Sequence, residues 1–578
     1  MALFTPSESP AVVVKEIDLT GGVPNVQSTT GAIVGNFRWG PVEQRVAVAN
    51  EAELVEKFAS PDTTTTIDFH NAAYFLRYSS SAQVVREVSN AAKNAHASTG
   101  QTGSASLSAQ MVKNSDDFDA QQGALDSDGF TFVAKYPGAL GNSLRVSVCP
   151  ANDSAFDAWT YKSSFDAAPG TSSYASGKSA TEDEIHVAVV DVNGEFTGTA
   201  GSVLETFPFV SQASGARNDD GTDNYALNAI NERSQYVWMV GFDSDYANGG
   251  TAATSGKDFN SLNAHTHYDF TAGANSNALG TTEILSGFDL FEDKDTVEVD
   301  FLIAPGMGTS VEQRTIVNDL VATAGTTRKD CVVVSSPARD DVVNLTSASD
   351  ITDNIVATAN TLNNSSYLIM DGNYLKVYDK YNDQYIHIPA ASSTAGLMAA
   401  TDVNRAPWFS PAGGRRGQYL GITSISWTPT KAQRDTLYKA GVNPIANIPG
   451  QGTILFGDKT MLARPSAFDR INVRRLFLVL ERAIARAAEN VLFEFNDEFT
   501  RAEFVNIIEP VLREVKGRRG ITDFKVVADE TNNTAEVIDR NEFVASIFIK
   551  PARSINYVTL NFVAVRTGVD FEEVVGTV

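Results

Sequence analysis

Cysteine is almost absent. The 578 residues contain two, Cys149 and Cys331, so a disulfide framework is excluded and a reducing compartment fits. No apolar run approaches the roughly 18 residues that a membrane span needs. The start, MALFTPSESP, lacks the basic and apolar regions of a secretory signal. A soluble protein made in a cytoplasm is expected, with no membrane partner. Cations are scarce: 45 Lys and Arg stand against 70 Asp and Glu, a net charge of −25. That balance argues against a protein that coats nucleic acid, whose phosphates demand an excess of cations. It suits a chain that must stay soluble at high concentration before it assembles. What remains is ordinary for globular protein, with 43% hydrophobic and 20% charged residues. The length is too great for one core and implies about three or four domains.

Catalytic and cofactor signatures are missing too. GQGTILFGDKT (450–460) resembles a phosphate loop, but Asp458 stands directly before Lys459, where that loop requires glycine. A structural turn is expected. LIAPGMGTSVEQ lies between a strand and a helix, as a dinucleotide loop would, yet it offers only Gly306 and Gly308 of the glycine fingerprint. His265 and His267 could face one way on a strand and hold a metal. No third ligand lies near them, and a surface pair is the expectation. His70, His96, His186 and His387 are scattered, and neither cysteine sits in a nucleophile signature. No cofactor, metal or catalytic residue is assigned. An enzyme built on the βα turn at 304–310 is the remote alternative.

What is present is a change of texture along the chain. Residues 24–95 read as compact α/β: a strand in TTGAIVGNFRWGP, helices in NEAELVEKF (capped by Asn50) and DFHNAAYFLRYS, then a strand in AQVVREVS. Residues 96–284 are rich in Ser, Ala, Gly, Asn and Asp and read as an inserted β-rich region. Strands are expected in FTFVAKYPGALGNSLRVSV and EIHVAVVDVNGEF, and a long surface loop in KSSFDAAPGTSSYASGKSATEDE. From 285 to 470 the α/β character returns. DTVEVDFLIAPG, SVEQRTIVNDLVATAG and KDCVVVSSP predict a parallel βαβ unit, its helix opened by a capping box of Ser310 and Gln313. A hairpin follows in YLIMDGNYLKVYDKYNDQYIHIP, then a short helix at TAGLMAATD. Residues 471–578 predict an α+β domain. Its first helix carries Leu476, Leu480, Ile484, Ala487 and Val491 on one face and Arg482, Arg486 and Glu489 on the other. A second helix opens with Thr500 and Glu503 and stops at Gly517, and strands DFKVVAD and NEFVASIFIK come after it. The fold class is therefore multidomain α/β and β-rich, with an α/β core, a β-rich inserted region and an α+β C-terminal domain.

Both ends of the sequence are apolar, although termini are usually polar and frayed. PAVVVKEIDLT, in the arm 1–23, places Val12, Val13, Val14 and Ile17 in a strand with nothing near it in sequence to pair with. SINYVTLNFVAVRTG alternates Val558, Leu560 and Phe562 on one face, and VDFEEVVGTV follows with Phe571, Val574 and Val575. A charge feature also stands out: Arg513, Lys516, Arg518 and Arg519 fall within seven residues, with Arg482 and Arg486 upstream. Solvated helix faces explain such a run; so does a docking surface for an acidic protein.

Together these landmarks resemble a known family. SPAVVVKEID, TTGAIVGNFRWGP, AKYPGALGNSLRV, KDCVVVSSP, PAASSTAGLMAATD with APWFSPAGGRRG, and NPIANIPGQGTILFGDKTM with FDRINVRRLFLVLERAI are similar, in order and spacing, to the contractile tail sheath proteins of myovirus-type bacteriophages. Ala11 stands where that family usually has glycine, and 150–280 matches weakly. The resemblance implies a structural, non-enzymatic subunit of the virion, assembled in the host bacterial cytoplasm. Its partners would be copies of itself in a helical stack of rings, the inner tail tube, and the baseplate and tail terminator proteins. It implies contraction that drives the tube through the host envelope. It also implies that the terminal arms add strands to the C-terminal sheets of neighbours, through the apolar residues named above, while Arg482, Arg486, Arg513, Lys516, Arg518 and Arg519 are candidates for docking the tube. The sheath of a phage-derived injection device shares these mechanics and is the alternative.

Overall fold

The computed structural model describes residues 29–97, 111–127, 131–243, 246–259, 264–276, 278–489 and 491–556. They fall into two compact units: 29–407 with 411–485, and 486–556 with Trp408–Ser410.

The first unit begins with a strand, β1 (Gly31–Gly35), and an edge strand, β2 (Arg45–Val48). Helices α1 (Glu51–Phe58) and α2 (Thr66–Leu76) lead into β3 (Ala82–Arg86). Asn50 caps α1 as its sequence position suggests, accepting from the Glu53 N–H at 3.0 Å. β1 pairs parallel with β3, and β2 pairs antiparallel with β3. Gly31 is obligatory in β1, because a Cβ there would lie 2.6 Å from the Phe75 ring of α2.

The chain then leaves this sheet. β4 (His96–Ala97), α3 (Ser115–Ser127) and β5 (Phe132–Ala134) follow, then β6 (Leu144–Cys149). Next come the short helices α4 (Asp153–Asp157) and α5 (Ser173–Ser176) and the long strands β7 (Glu184–Asp191) and β8 (Ser202–Ser211). α6 (Ala226–Arg233), β9 (Val237–Met239) and β10 (Thr266–Asp269) complete the segment. The strands make a three-stranded sheet, β4-β5-β9, and a four-stranded antiparallel sheet, β10-β6-β7-β8. These share one core of residues such as Phe132, Val146, Val187, Val189, Phe207 and Ile230. The stretch read as a surface loop, 162–184, is partly anchored. Phe165 packs on the Trp159 cluster, and the buried Asp183 carboxylate accepts from the Ser172 N–H and hydroxyl and from the Ser211 hydroxyl.

α7 (Thr281–Asp289) returns the chain to the first sheet, where β11 (Phe301–Ile303) pairs parallel with the free side of β1. α8 (Ser310–Ala322), β12 (Val332–Ser335), α9 (Ala348–Ala359) and β13 (Leu368–Met370) finish it. The order is β13-β12-β11-β1-β3-β2, parallel apart from the edge strand. The predicted βαβ unit is therefore present as β11–α8–β12. Its cap lies one residue earlier than the sequence suggests. Thr309 and Glu312 form the capping box, while Ser310 bonds Asp341 and Gln313 turns inward to Ser335 and Ser336. The partner demanded by tertiary structure, buried at 1% exposure, takes Gln313 away from the cap.

A hairpin of β14 (Tyr374–Asp379) and β15 (Gln384–Pro389), joined by β16 (Ser424–Ile425), follows β13. α10 (Ala391–Asn404), α11 (Lys431–Lys439), the hairpin of β17 (Ile445–Ile448) and β18 (Gly452–Leu455), and α12 (Ile471–Glu489) come next. Strands of the central sheet alternate between two cores, as a sheet covered on both sides must. Ala32, Val34, Leu302 and Val333 meet α7, α8 and α9. Ile33, Val84, Ile303 and Val334 meet α1, α2, α10 and α12.

The second unit is small. α13 (Glu498–Gly517) packs Phe504, Ile508, Leu512 and Val515 inward. Its cap is Asp497, accepting from the Thr500 N–H at 2.8 Å, so the helix starts before the expected Thr500 and ends at the expected Gly517. β19 (Ile521–Val527), α14 (Ala535–Asp539) and β20 (Ser546–Pro551) follow, the strands forming an antiparallel pair. Asn533 ties the connection together through Val544 N–H and O. Val12, Val13, Val14, Ile17, Val558, Leu560, Phe562, Phe571, Val574 and Val575 lie outside the described residues.

Candidate assembly surface

Both loops that resemble nucleotide-binding turns are occupied by the chain itself. Asp458, in the phosphate-loop look-alike after β18, is buried and paired with Arg470 at 3.2 Å. In the turn after β11, a Cβ on Gly306 would lie 2.6 Å from the Tyr374 hydroxyl, and the Gln313 side-chain oxygen accepts the Met307 N–H at 2.9 Å. The start of α8 is thus closed by protein groups. The rings of His265 and His267 are 5.0 Å apart, but no group of three or more His, Cys, Asp or Glu among the described residues is placed to hold a metal. Both cysteines are buried, and burial pushes the Cys149 thiol up to about 12, away from the range of a reactive thiolate.

The basic candidates divide. Arg482 belongs to the first unit, with a side chain 11% exposed. It pairs with Asp300 at 2.8 Å and donates to the Asp330 carbonyl. It therefore holds α12 on the start of β11. Arg475, about two turns earlier, pairs likewise with Asp402 of α10. Arg486 is partly buried in the last turn of α12. Arg513, Lys516, Arg518 and Arg519 do come together, exposed, at the end of α13. Three of the four meet acids: Glu509 at 2.6 Å, Asp523 at 3.1 Å and Glu514 at 3.3 Å. The patch is mixed in sign. Counting cations alone overlooks Glu509 and Glu514, each four residues before its partner, the favourable helical spacing.

A surface that sequence reading missed lies between α12 and α13. Leu492, Phe493, Phe495 and Phe499 are 63%, 105%, 84% and 76% exposed. The run NVLF reads as more helix, but Phe493 adopts a φ of +70°, which turns the chain and presents the rings to solvent. Phe548 on β20 adds a further exposed ring. Apolar patches of this kind mark interaction sites. The β19–β20 pair is equally unfinished: among the described residues neither strand has a second neighbour, and a two-stranded sheet is marginal on its own.

Comparison with known proteins decides the family. The model of the phage tail sheath protein central domain matches residues 277–461, and that of the phage tail sheath C-terminal domain matches 463–564. The tail sheath protein of Enterobacteria phage T4 is 32% identical over 662 residues, covering 98% of this chain and 99% of the T4 protein. The chain belongs to the phage tail sheath family. The tail sheath protein of Vibrio phage KVP40 gives the same 32% identity, over 98% of this chain and 99% of its own length. This sheath protein also shares its fold with the sheath tail protein of Listeria innocua, at a TM-score of 0.53 over 92% of this chain and 96% of that one, with 11% identity. The mixed α/β architecture with several sheets is thus a sheath architecture, and the chain's role is that of a contractile-tail sheath, a virion component.

Proposed function

We propose that this sheath subunit polymerises as a helical stack of rings around an inner tail tube, bounded by baseplate and tail terminator proteins, and contracts to drive the tube through the host envelope. The role is mechanical and non-enzymatic, and assembly takes place in the host bacterial cytoplasm. The observation that carries the reading is full-length similarity to tail sheath proteins joined to a C-terminal unit whose two-stranded sheet, among the described residues, has no further strand on either outer edge. Such edges are a liability in a monomer and a docking template in a polymer.

In this reading the chain divides into an arm at 1–23, a core of 24–95 with 285–470, an outward-facing insertion at 96–284, and a C-terminal domain at 471–578. Residues 12–17 and 571–575 of neighbouring subunits add strands to β19 and β20. TGGVPN (20–25) and Gly568 are the hinges that let rigid bodies rotate while the added strands stay bonded. Arg513, Lys516, Arg518 and Arg519 face the tube. Arg482 contributes indirectly, by fixing α12.

The test is assembly. Purified full-length protein should form tubes or rings under negative-stain electron microscopy. Variants lacking 1–20 or 569–578 should remain folded monomers. Normal tubes from both truncations would overturn strand exchange, and monomers that turn over a substrate would overturn the sheath reading.

A further inference from the structure

The β14–β15 hairpin carries a face that the described residues leave partly uncovered. Its register sets Tyr378 opposite Tyr385 and Lys376 opposite His387, so these four side chains share one face of the sheet. Leu375 and Val377, on the other face, are fully buried. The two tyrosine rings are 5.4 Å apart and 46% and 58% exposed. The Lys376 ammonium lies 5.4 Å from the Tyr385 ring centre and is in no ion pair among the described residues. Arg339 joins this end of the hairpin, donating to the His387 carbonyl at 3.0 Å. Asp383, the acid beside the rings, accepts from the Tyr378 hydroxyl. Paired tyrosines flanked by cations are the kind of anchor that dominates protein interfaces.

The same chain carries a complement. Asp289, Glu292, Asp293 and Asp295 are exposed, with Lys294 as the sole cation among them, and none of the four is in an ion pair among the described residues. Their loop is held in shape by the buried Arg328, which donates to the carbonyls of Phe291, Asp293 and Val297. Topology separates the two surfaces. The acidic loop enters β11 at the N-terminal edge of the parallel strands, and the hairpin leaves β13 at their C-terminal edge. A contact between surfaces at opposite ends of one sheet would join two copies head to tail. Such heterologous contacts generate open helical assemblies.

We propose that the Lys376, Tyr378, Tyr385 and His387 face of one subunit docks on the acidic 289–295 loop of a second copy. The proposal rests on the reading of this chain as a polymerising sheath. Charge complementarity fixes the register, and the tyrosines supply the buried anchors.

Two measurements on the full-length protein test it. Lys376→Glu with Tyr378→Ala and Tyr385→Ala should lower tube yield at least tenfold by electron microscopy and sedimentation, with an unchanged circular dichroism spectrum. Adding Glu292→Lys and Asp293→Lys to a chain carrying only Lys376→Glu should restore tubes. Separately, tubes mixed from Tyr385→Cys and Asp293→Cys chains should give a bismaleimide-linked dimer that neither variant gives alone, since Cys149 and Cys331 are buried. Wild-type tubes matched by equal tube yield from the triple variant, or mixed tubes without the linked dimer, would overturn the contact and leave the sheath reading standing. Failure of the wild type itself to form tubes would overturn both.

Discussion

The parallel core and the C-terminal unit solve the same problem in opposite ways. The core closes on itself. Its central strands are covered on both faces, and two of the buried cations of α12, Arg475 and Arg482, are each matched by a buried aspartate. The C-terminal unit stays open. Among the described residues its strands number two, four apolar side chains in eight residues face water, and its ion pairs lie at the surface. Among the described residues one region is covered on both faces of its sheet, and the other is not. The difference teaches where to look for function in a structural protein of a phage tail: at the groups that folding leaves unsatisfied.

Four variants probe this contrast. Asp300→Ala should do the most damage to the subunit. It leaves the Arg482 guanidinium buried without its partner, which costs about 3–5 kcal/mol, and chemical denaturation should show a correspondingly lower midpoint. Next comes pH. Glu87 is buried at the end of β3, and burial, followed by the nearby Glu43 and Glu283 carboxylates, pushes it up to about 8. A carboxyl raised in the folded state stabilises fully below its unfolded value near 4.5, and that contribution is lost as pH rises through about 8. Melting temperature should therefore fall across this window in the wild type, and Glu87→Gln should flatten the fall. A profile of unchanged slope would remove Glu87 from the account.

In the open region the expected subunit effects are smaller. Phe493→Ser with Phe495→Ser should move subunit stability by no more than about 0.5 kcal/mol while reducing tube formation. A large loss of stability instead would mean that these rings belong to the fold. Smallest of all, Arg518→Glu with Arg519→Glu should leave the melting temperature nearly unchanged. It should weaken assembly on a tail tube more than self-assembly, and equal effects on the two would take this patch out of the tube interface.

Much of the core is legible in the amino-acid order. Asn50 before Glu51, the β-branched run around Val332–Val334 and the βαβ spacing each rest on local physics, and each is found where expected. What sequence could not place depends on partners far along the chain. The cap of α8 moved because Ser310 found Asp341 and Gln313 found Ser335. The 162–184 stretch is pinned by Asp183 reaching Ser211. Arg482, which looks solvent-facing on a helical wheel, reaches Asp300 on another element. The exposed rings at 492–499 were hidden because a positive φ at Phe493 has no signature in a phenylalanine.

The position of β1 has a mechanical consequence. It is flanked by parallel strands on both sides, β3 and β11, and it begins just after the N-terminal 28 residues. Consider a force applied at Thr29 along the axis of β1. Two ladders of hydrogen bonds then carry the load at once, in shear, and must slip together before either fails. A strand at the sheet's edge would be peeled one bond at a time. The subunit is rigged like a rope spliced into the middle of a cable.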